Sequence, residues 1–201
     1  MNRHLANALL LLVGAIWGMG FVAQSTAMDA IEPIFFTGIR FLAAALSVLP
    51  LAIWESRRAR SMATVPRSAS KPFAAYAMLG TFLFAALATQ QIGLVTTSVT
   101  NSGFLTGLYV VMVPLLAVIL LRQIPHIIIW PAALCTLLGI YLLSGGDITA
   151  LSRGDYWTIM CAFLWACHVV LLSRVLKAAA GMVQPFTLAC TQFFVCAAWG
   201  I

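Results

Sequence analysis

The chain has 201 residues, of which 63% are hydrophobic and 8% charged, and its formal net charge is +6 at pH 7. A soluble domain averages about 45 to 50% apolar and about 25% charged residues, so the composition excludes water as the main solvent of this chain. In a soluble protein the positive charge would point to nucleic acid, but here its placement marks membrane orientation, and no nucleic-acid partner is expected.

Uniformly apolar runs, each long enough for a hydrocarbon core about 30 Å thick, follow one another along the chain. They lack the period-two alternation of a lumen-facing strand, which predicts an all-α membrane protein, a polytopic helical bundle. Seven spans are read at Ala6–Ala23, Ile34–Trp54, Phe73–Leu94, Val99–Leu121, Ile127–Leu143, Tyr156–Leu176 and Met182–Ile201.

The first span follows Arg3 and ends near the small residues Ser25, Thr26 and Ala27, a loose signal-peptide pattern. Its length, Trp17 and the Gly14/Gly18 pair suit a packed helix better, because helices in lipid approach closely at small residues. The second span carries Arg40 about seven residues inside its outer end, roughly 10 Å deep at about 1.5 Å per residue. A guanidinium there costs at least about 2.5 to 3.5 kcal/mol on insertion scales, so Arg40 should face protein or water. It either contacts the carboxylate or another polar group of a substrate, or snorkels outward or caps backbone carbonyls of a kinked neighbour.

Glu55 to Lys71 reads as a flexible loop rich in Arg, Ser and Ala, and the other connections are short, which predicts one compact bundle of antiparallel neighbours. Gln90 and Gln91 in the third span, Asn101, Ser102, Thr106 and Tyr109 in the fourth, and Gln192 in the seventh are polar groups able to line a pathway. The fourth span repeats the four-residue glycine spacing at Gly103 and Gly107, and Pro114 is expected to kink it. His168 in the sixth span is the only histidine well inside a span; it is a candidate proton-coupling group or a neutral residue hydrogen-bonded in the bundle. Trp17, Phe36, Phe163 and Trp165 are candidate pocket walls, with packing the competing role. Cys135, Cys161, Cys167, Cys190 and Cys196 all fall within spans, without metal-site spacing, and read as packing residues.

With the N-terminus cytoplasmic, the inner segments hold Arg3, Arg57, Arg58, Arg60, Arg67, Lys71, Arg122, Arg174 and Lys177 against Glu55 alone. The outer loops then hold Asp29, Glu32, Asp147 and Asp155 against Arg153, the distribution that the positive-inside rule requires.

An internal echo relates the first two spans to the last two. Trp17-Gly18 corresponds to Trp165-Ala166, and Glu32-Pro33 to Gln184-Pro185; seven residues past each proline comes a polar residue followed by Phe, Arg40-Phe41 and Gln192-Phe193. A five-helix repeat would place the two copies upside down relative to each other.

Together with Arg40-Phe41-Leu42, the stretch from Asn101-Ser102-Gly103-Phe104-Leu105 to Pro114, Gly139 to Ser144, and Gly154-Asp155 leading to Trp165-Ala166, these residues resemble the EamA-like family of the drug/metabolite transporter superfamily. The resemblance extends over essentially the whole chain. It implies a ten-helix fold of two inverted five-helix repeats that moves small metabolites or drugs across the cytoplasmic membrane. Residues 1–146 would form the first repeat and 147–201 the beginning of a second, the chain ending after the seventh of ten expected helices. The acidic residue common in the family is missing from Arg122-Gln123-Ile124-Pro125.

The expected function is therefore a secondary-transport permease working by alternating access, the alternative being an inactive or assembly-type membrane fragment. An intramembrane enzyme would need acids, bases or a nucleophile within reach of each other, and no acid lies deep in a span, no G-x-S-x-G elbow occurs and no nucleotide-binding loop is present. Arg40, Gln192, Trp17, Trp165, Asn101 and Tyr109 are the predicted substrate-binding residues, with His168 for proton coupling. No catalytic residue, metal or cofactor is predicted. The expected partners are a small-molecule substrate, the lipid bilayer and, as a way to close a pathway, a second copy in a homodimer.

Overall fold

A computed structural model describes residues 2–62, 70–122, 126–143, 151–178 and 184–201. Arg67, Gln123–Pro125, Ser144, Asp147 and the expected start of the seventh span at Met182 lie outside the described residues, as do the side chains of Arg60 and Lys71. Eight helices are described: α1 (Arg3–Ala27), α2 (Pro33–Met62), α3 (Ser70–Leu94), α4 (Val99–Thr106), α5 (Tyr109–Leu121), α6 (Ile129–Leu143), α7 (Arg153–Ala178) and α8 (Pro185–Gly200). No strand occurs among the described residues. In hydrocarbon, helices satisfy their own backbone hydrogen bonds, which is why apolar runs of this length become helices rather than open sheet.

Five segments are long and apolar enough to cross a membrane: α1, Pro33–Ala59 of α2, Phe73–Leu94 of α3, Val99–Leu121 comprising α4 and α5, and α7. The protein is an all-α, multi-pass membrane protein. Of the seven expected spans, the fifth and seventh are the shorter helices α6 and α8, of 15 and 16 residues.

Two local expectations are corrected. Helix α2 does not stop at Trp54 but runs on to Met62, because Glu55-Ser56-Arg57-Arg58-Ala59-Arg60 contains no glycine or proline to end it. The fourth span, expected as one continuous helix, is interrupted at Gly107 and Leu108, where Leu108 N–H donates to Leu105 O at 3.1 Å in a tightened turn; Pro114, the expected kink position, stands inside α5.

Helices α2, α3, α7 and α8 form the packed centre, with α2 against α8 and α3 against both α7 and α8. Gly38 meets Gly200, Ala45 O accepts from Cys190 Sγ, and Ser56 meets Thr187, so α2 and α8 run antiparallel. Leu79, Ala86, Cys161, Ala162, Ala166 and Cys196 are fully buried there. Of the five cysteines expected to pack, Cys161, Cys190 and Cys196 are buried, Cys167 is half-buried and Cys135 is exposed on α6.

Small residues set the helix approach, but at glycines other than the expected pairs. A methyl group added to Gly38 would lie 2.6 Å from the Gly200 carbonyl carbon, and one added to Gly93 would lie 2.9 Å from the Gly154 carbonyl oxygen. Methyl groups added to Gly14, Gly18 or Gly103 would meet nothing within 4 Å. Those glycines leave space where close packing had been expected.

The helix ends are capped by neighbours as well as locally. Gln184, at the N-cap of α8, supplies no side-chain cap, and Glu55 of α2 does so instead: its carboxylate accepts from Thr187 N–H at 2.9 Å and from Thr187 Oγ1 at 3.0 Å. At the C-terminal end of α5, Arg122 takes the left-handed conformation at φ 51° and Arg174 of α7 donates to Leu120 O, satisfying an orphan carbonyl.

Candidate functional site

The space left by the expected glycine pairs is a cavity of about 320 Å³ between α1 and the α4–α5 break. Gly14, Gly18, Gly103 and Gly107 line it together with Trp17, Phe21, Thr106, Tyr109 and Val110. The break at Gly107 and Leu108 directs Tyr109, the first residue of α5, into the cavity wall.

Two predicted site residues, Trp17 and Tyr109, line this cavity, and a third, Trp165, contacts both of them. Trp17 of α1 stacks on Trp165 of α7 with ring centroids 6.0 Å apart and planes at 30°. Tyr109 lies against the same indole, at 6.3 Å and 45°. Aromatic pairs in such offset or tilted geometry contribute about 0.5 to 1.5 kcal/mol beyond the area they bury, so Trp165 holds the two lining rings, Trp17 and Tyr109, in place.

The polar face of the cavity is Thr106. Its hydroxyl donates to Ser102 O at 2.7 Å and accepts from Gln90 Nε2 at 3.0 Å, linking α4 to the buried Gln90 of α3. Gln90 Nε2 also approaches Cys161 Sγ of α7 at 3.8 Å, so one amide spans three helices. Beside this chain, Ser102 Oγ and Gln91 Oε1 are buried with no hydrogen-bond partner among the described residues. Such a group left unmatched costs about 1 to 3 kcal/mol, which makes both atoms available acceptors. Among the described residues no charged side chain lines the cavity.

Arg40 is held to one side. Its Nη1 donates to Gln24 Oε1 of α1 at 2.6 Å, and Gln24 Nε2 donates to Gly20 O at 2.9 Å. The guanidinium sits between two rings, 5.5 Å from the Phe36 centroid and 5.1 Å from that of Phe41. Since Gln24 lies one helical turn past Phe21, Arg40 is held about one turn, roughly 5 Å, beyond the cavity along α1. Gln192 of α8 turns its amide nitrogen back to Leu188 O at 3.5 Å, leaving Oε1 buried and unpartnered among the described residues. Arg40 and Gln192 do not hydrogen-bond each other.

Asn101 and His168 lie in other settings. Asn101, in the first turn of α4, stands beside the Asp155 carboxylate, which also accepts from Thr97 Oγ1 and, at 2.7 Å, from Ser152 N–H. Ser152 Oγ accepts from Asp155 N–H at 3.2 Å, completing a reciprocal cap at the start of α7. Asp155, expected in an outer loop as a marker of sidedness, is thus only 2% exposed and ties α7 to the turn between α3 and α4. His168 is buried between α7 and α3, with Nδ1 3.0 Å from Leu79 O; since a carbonyl only accepts, that nitrogen carries the proton. Of the other expected walls, Phe36 stacks on Arg40 and Phe163 is exposed. Among the described residues no three His, Cys, Asp or Glu side chains gather into a metal-holding group.

Sequence reasoning missed Gln24, one residue past the predicted end of the first span, and Phe21 as a cavity residue. The signal for Gln24 was a lone amide at the end of an apolar run. Phe21 carried none.

The profile of the EamA-like transporter family matches residues 4–145. An uncharacterized transporter of Archaeoglobus fulgidus is 27% identical over 175 residues, covering 87% of this chain and 51% of the relative. The chain therefore spans about half the length of the curated relative it matches. No solved structure matches it. With the family profile covering most of its length and a named transporter among its relatives, this chain belongs to the EamA-like transporter family.

Proposed function

We propose that this chain supplies the solute-binding part of a secondary permease that moves a small metabolite or drug across the cytoplasmic membrane by alternating access. The cavity between α1 and the α4–α5 break is the solute site, and the observation that carries the reading is its wall. Trp17 and Trp165, which occupy corresponding positions in the sequence echo, stack on each other at 6.0 Å beside a space kept open by glycines. Two halves that rock about such a contact expose the space to one side of the membrane and then to the other.

The same pairing supports an inverted repeat with residues 1–146 as one unit and 147–201 as the start of the other. A residue touches its own counterpart only near a two-fold axis. Phe41 and Phe193, the second corresponding pair, also touch, and the corresponding helices α2 and α8 run in opposite directions. In this reading the uncharged cavity takes the apolar or aromatic body of the solute. Arg40, with guanidinium donors beyond the one given to Gln24, and the free Gln192 Oε1 receive its polar end as the halves move. Asn101, beside Asp155, is a further polar contact for the solute in this reading, and His168, bonded to Leu79 O of α3, is the proton-coupling group. The N-terminus is cytoplasmic, since the reverse topology puts Arg57 and Arg58 outside; an impermeant thiol reagent should reach Asp29→Cys but not Asn2→Cys in intact cells.

Solute release from proteoliposomes loaded with a panel of neutral, anionic and cationic metabolites tests the reading. Gly103→Leu, which fills the cavity without a backbone clash, should lower release at least about tenfold while membrane insertion is retained. No release from any member of the panel, or undiminished release by Gly103→Leu, would count against it.

A further inference from the structure

A second cavity, of about 550 Å³, opens between α2, α3 and α8, away from the aromatic wall. Its lining falls into two zones. Leu49, Ile53, Phe194, Val195 and Ala198 form a mainly apolar trough, in which the Thr191 hydroxyl donates to Thr187 O at 2.8 Å, while Ser56, Arg57 and Thr187 gather at one end. Because α2 and α8 run antiparallel, both walls grade in the same direction: from Arg57 to Leu49 along α2 and from Thr187 to Ala198 along α8. At about 1.5 Å per residue these are about 12 and 16 Å, close to the roughly 15 Å of one leaflet of a 30 Å core.

The polar end lies at the membrane boundary. Trp54 and Arg58, both exposed, stack with the guanidinium carbon 5.5 Å from the ring centroid, the pairing of an amphipathic ring and a cation found at headgroup depth. Arg57 is exposed and forms no ion pair or hydrogen bond among the described residues. Glu55, the neighbouring acid, accepts with its carboxylate from the N–H and hydroxyl of Thr187 at the N-terminus of α8 and forms no ion pair with Arg57 among the described residues. A trough at hydrocarbon depth fills with an acyl chain, and the cation at its mouth decides which headgroup that chain carries.

We propose that the groove between α2, α3 and α8 binds an anionic phospholipid, one acyl chain lying along Leu49, Ile53 and Phe194 and the phosphate held by Arg57. A guanidinium grips phosphate through two parallel N–H donors, whereas a zwitterionic headgroup adds a cation that Arg57 repels.

The test is lipid retention by the full chain in detergent, read by native mass spectrometry. Phosphatidylglycerol is titrated against phosphatidylcholine of the same acyl chains, with glycerol phosphate as an acyl-free competitor. Phosphatidylglycerol should be retained at least about fivefold over phosphatidylcholine. Arg57→Gln should bring that ratio close to one, whereas Arg122→Gln, removing a cation outside the groove, should leave it unchanged. Ala198→Trp, built on an exposed wall, should lower retention of both lipids. Equal retention by the unaltered chain, the same loss in Arg122→Gln as in Arg57→Gln, or displacement of lipid by glycerol phosphate would overturn the proposal.

Discussion

Phe41 of α2 and Phe193 of α8 lie with ring centroids 5.3 Å apart and planes tilted by 52°. Each follows the polar residue that stands seven positions after its helix-opening proline, Arg40 after Pro33 and Gln192 after Pro185. Both rings pack on the buried cluster of Leu83, Leu87 and Cys196, so the contact joins α2, α3 and α8 at one point.

That geometry predicts energetic coupling. In a double-mutant cycle with Phe41→Ala and Phe193→Ala, unfolding in mild detergent should return an interaction of about 0.5 to 1.5 kcal/mol, the range for tilted aromatic pairs. Additive losses would mean that the two rings pack independently on α3 and do not hold α2 to α8.

The glycines separate into two kinds, and substitution should tell them apart. Gly38→Ala sets a methyl group against the Gly200 backbone, which cannot move aside as a flexible side chain would, so the yield of folded protein should fall sharply. Gly14→Ala meets nothing within 4 Å and should leave folding intact, or improve it slightly through higher helix propensity. Thermal stability by size-exclusion chromatography on matched preparations checks both; equal tolerance would contradict the close α2–α8 approach.

Much of this was legible in the sequence, and what was not has specific causes. Length and apolarity located the helices because backbone satisfaction in lipid leaves little choice. The echo of Trp17 with Trp165 and Phe41 with Phe193 singled out residues that touch, since equivalent positions near an axis meet each other. Glycine spacing identified Gly14, Gly18 and Gly103 but could not say whether the face they share meets a helix or a space. Asp155 was read as a loop charge although Ser152-Arg153-Gly154-Asp155 spells out a capping box; its distant partners, Asn101 and Thr97, the latter 58 residues away in the chain, depend on the fold. The break at Gly107 and Leu108 was not legible, because glycine in an apolar helix signals close packing as readily as an interruption.

Glu55 is the only acidic residue on its side of the expected topology, and its role in the fold is to cap α8 from another helix. Removing a side-chain cap costs about 0.5 to 2 kcal/mol. Glu55→Ala should lower stability by about that amount, Glu55→Gln by less because its carbonyl oxygen still accepts, and Thr187→Val should add little to Glu55→Ala. Chemical unfolding followed by circular dichroism reads the series; full additivity of the two changes would show that the residues act separately.

Asp155 presents the sharpest case. One oxygen accepts from Thr97 Oγ1 and the other from Ser152 N–H, and Asn101 stands beside them, so the carboxylate joins α7 to the α3–α4 turn. Asp155→Asn keeps the volume but replaces one acceptor with an NH₂ donor, which must face either the Ser152 N–H or the Thr97 hydroxyl. The hydroxyl can rotate and accept; the backbone N–H cannot, so the amide oxygen should stay on Ser152 and the Thr97 contact should survive in reversed sense. The loss should then be about 1 to 3 kcal/mol for Asp155→Ala, which strands both donors, and clearly smaller for Asp155→Asn. Hydrogen exchange should localise the extra opening to the first turns of α4 and α7; uniform loosening of the whole bundle would mean that this junction does not hold that end of the bundle together.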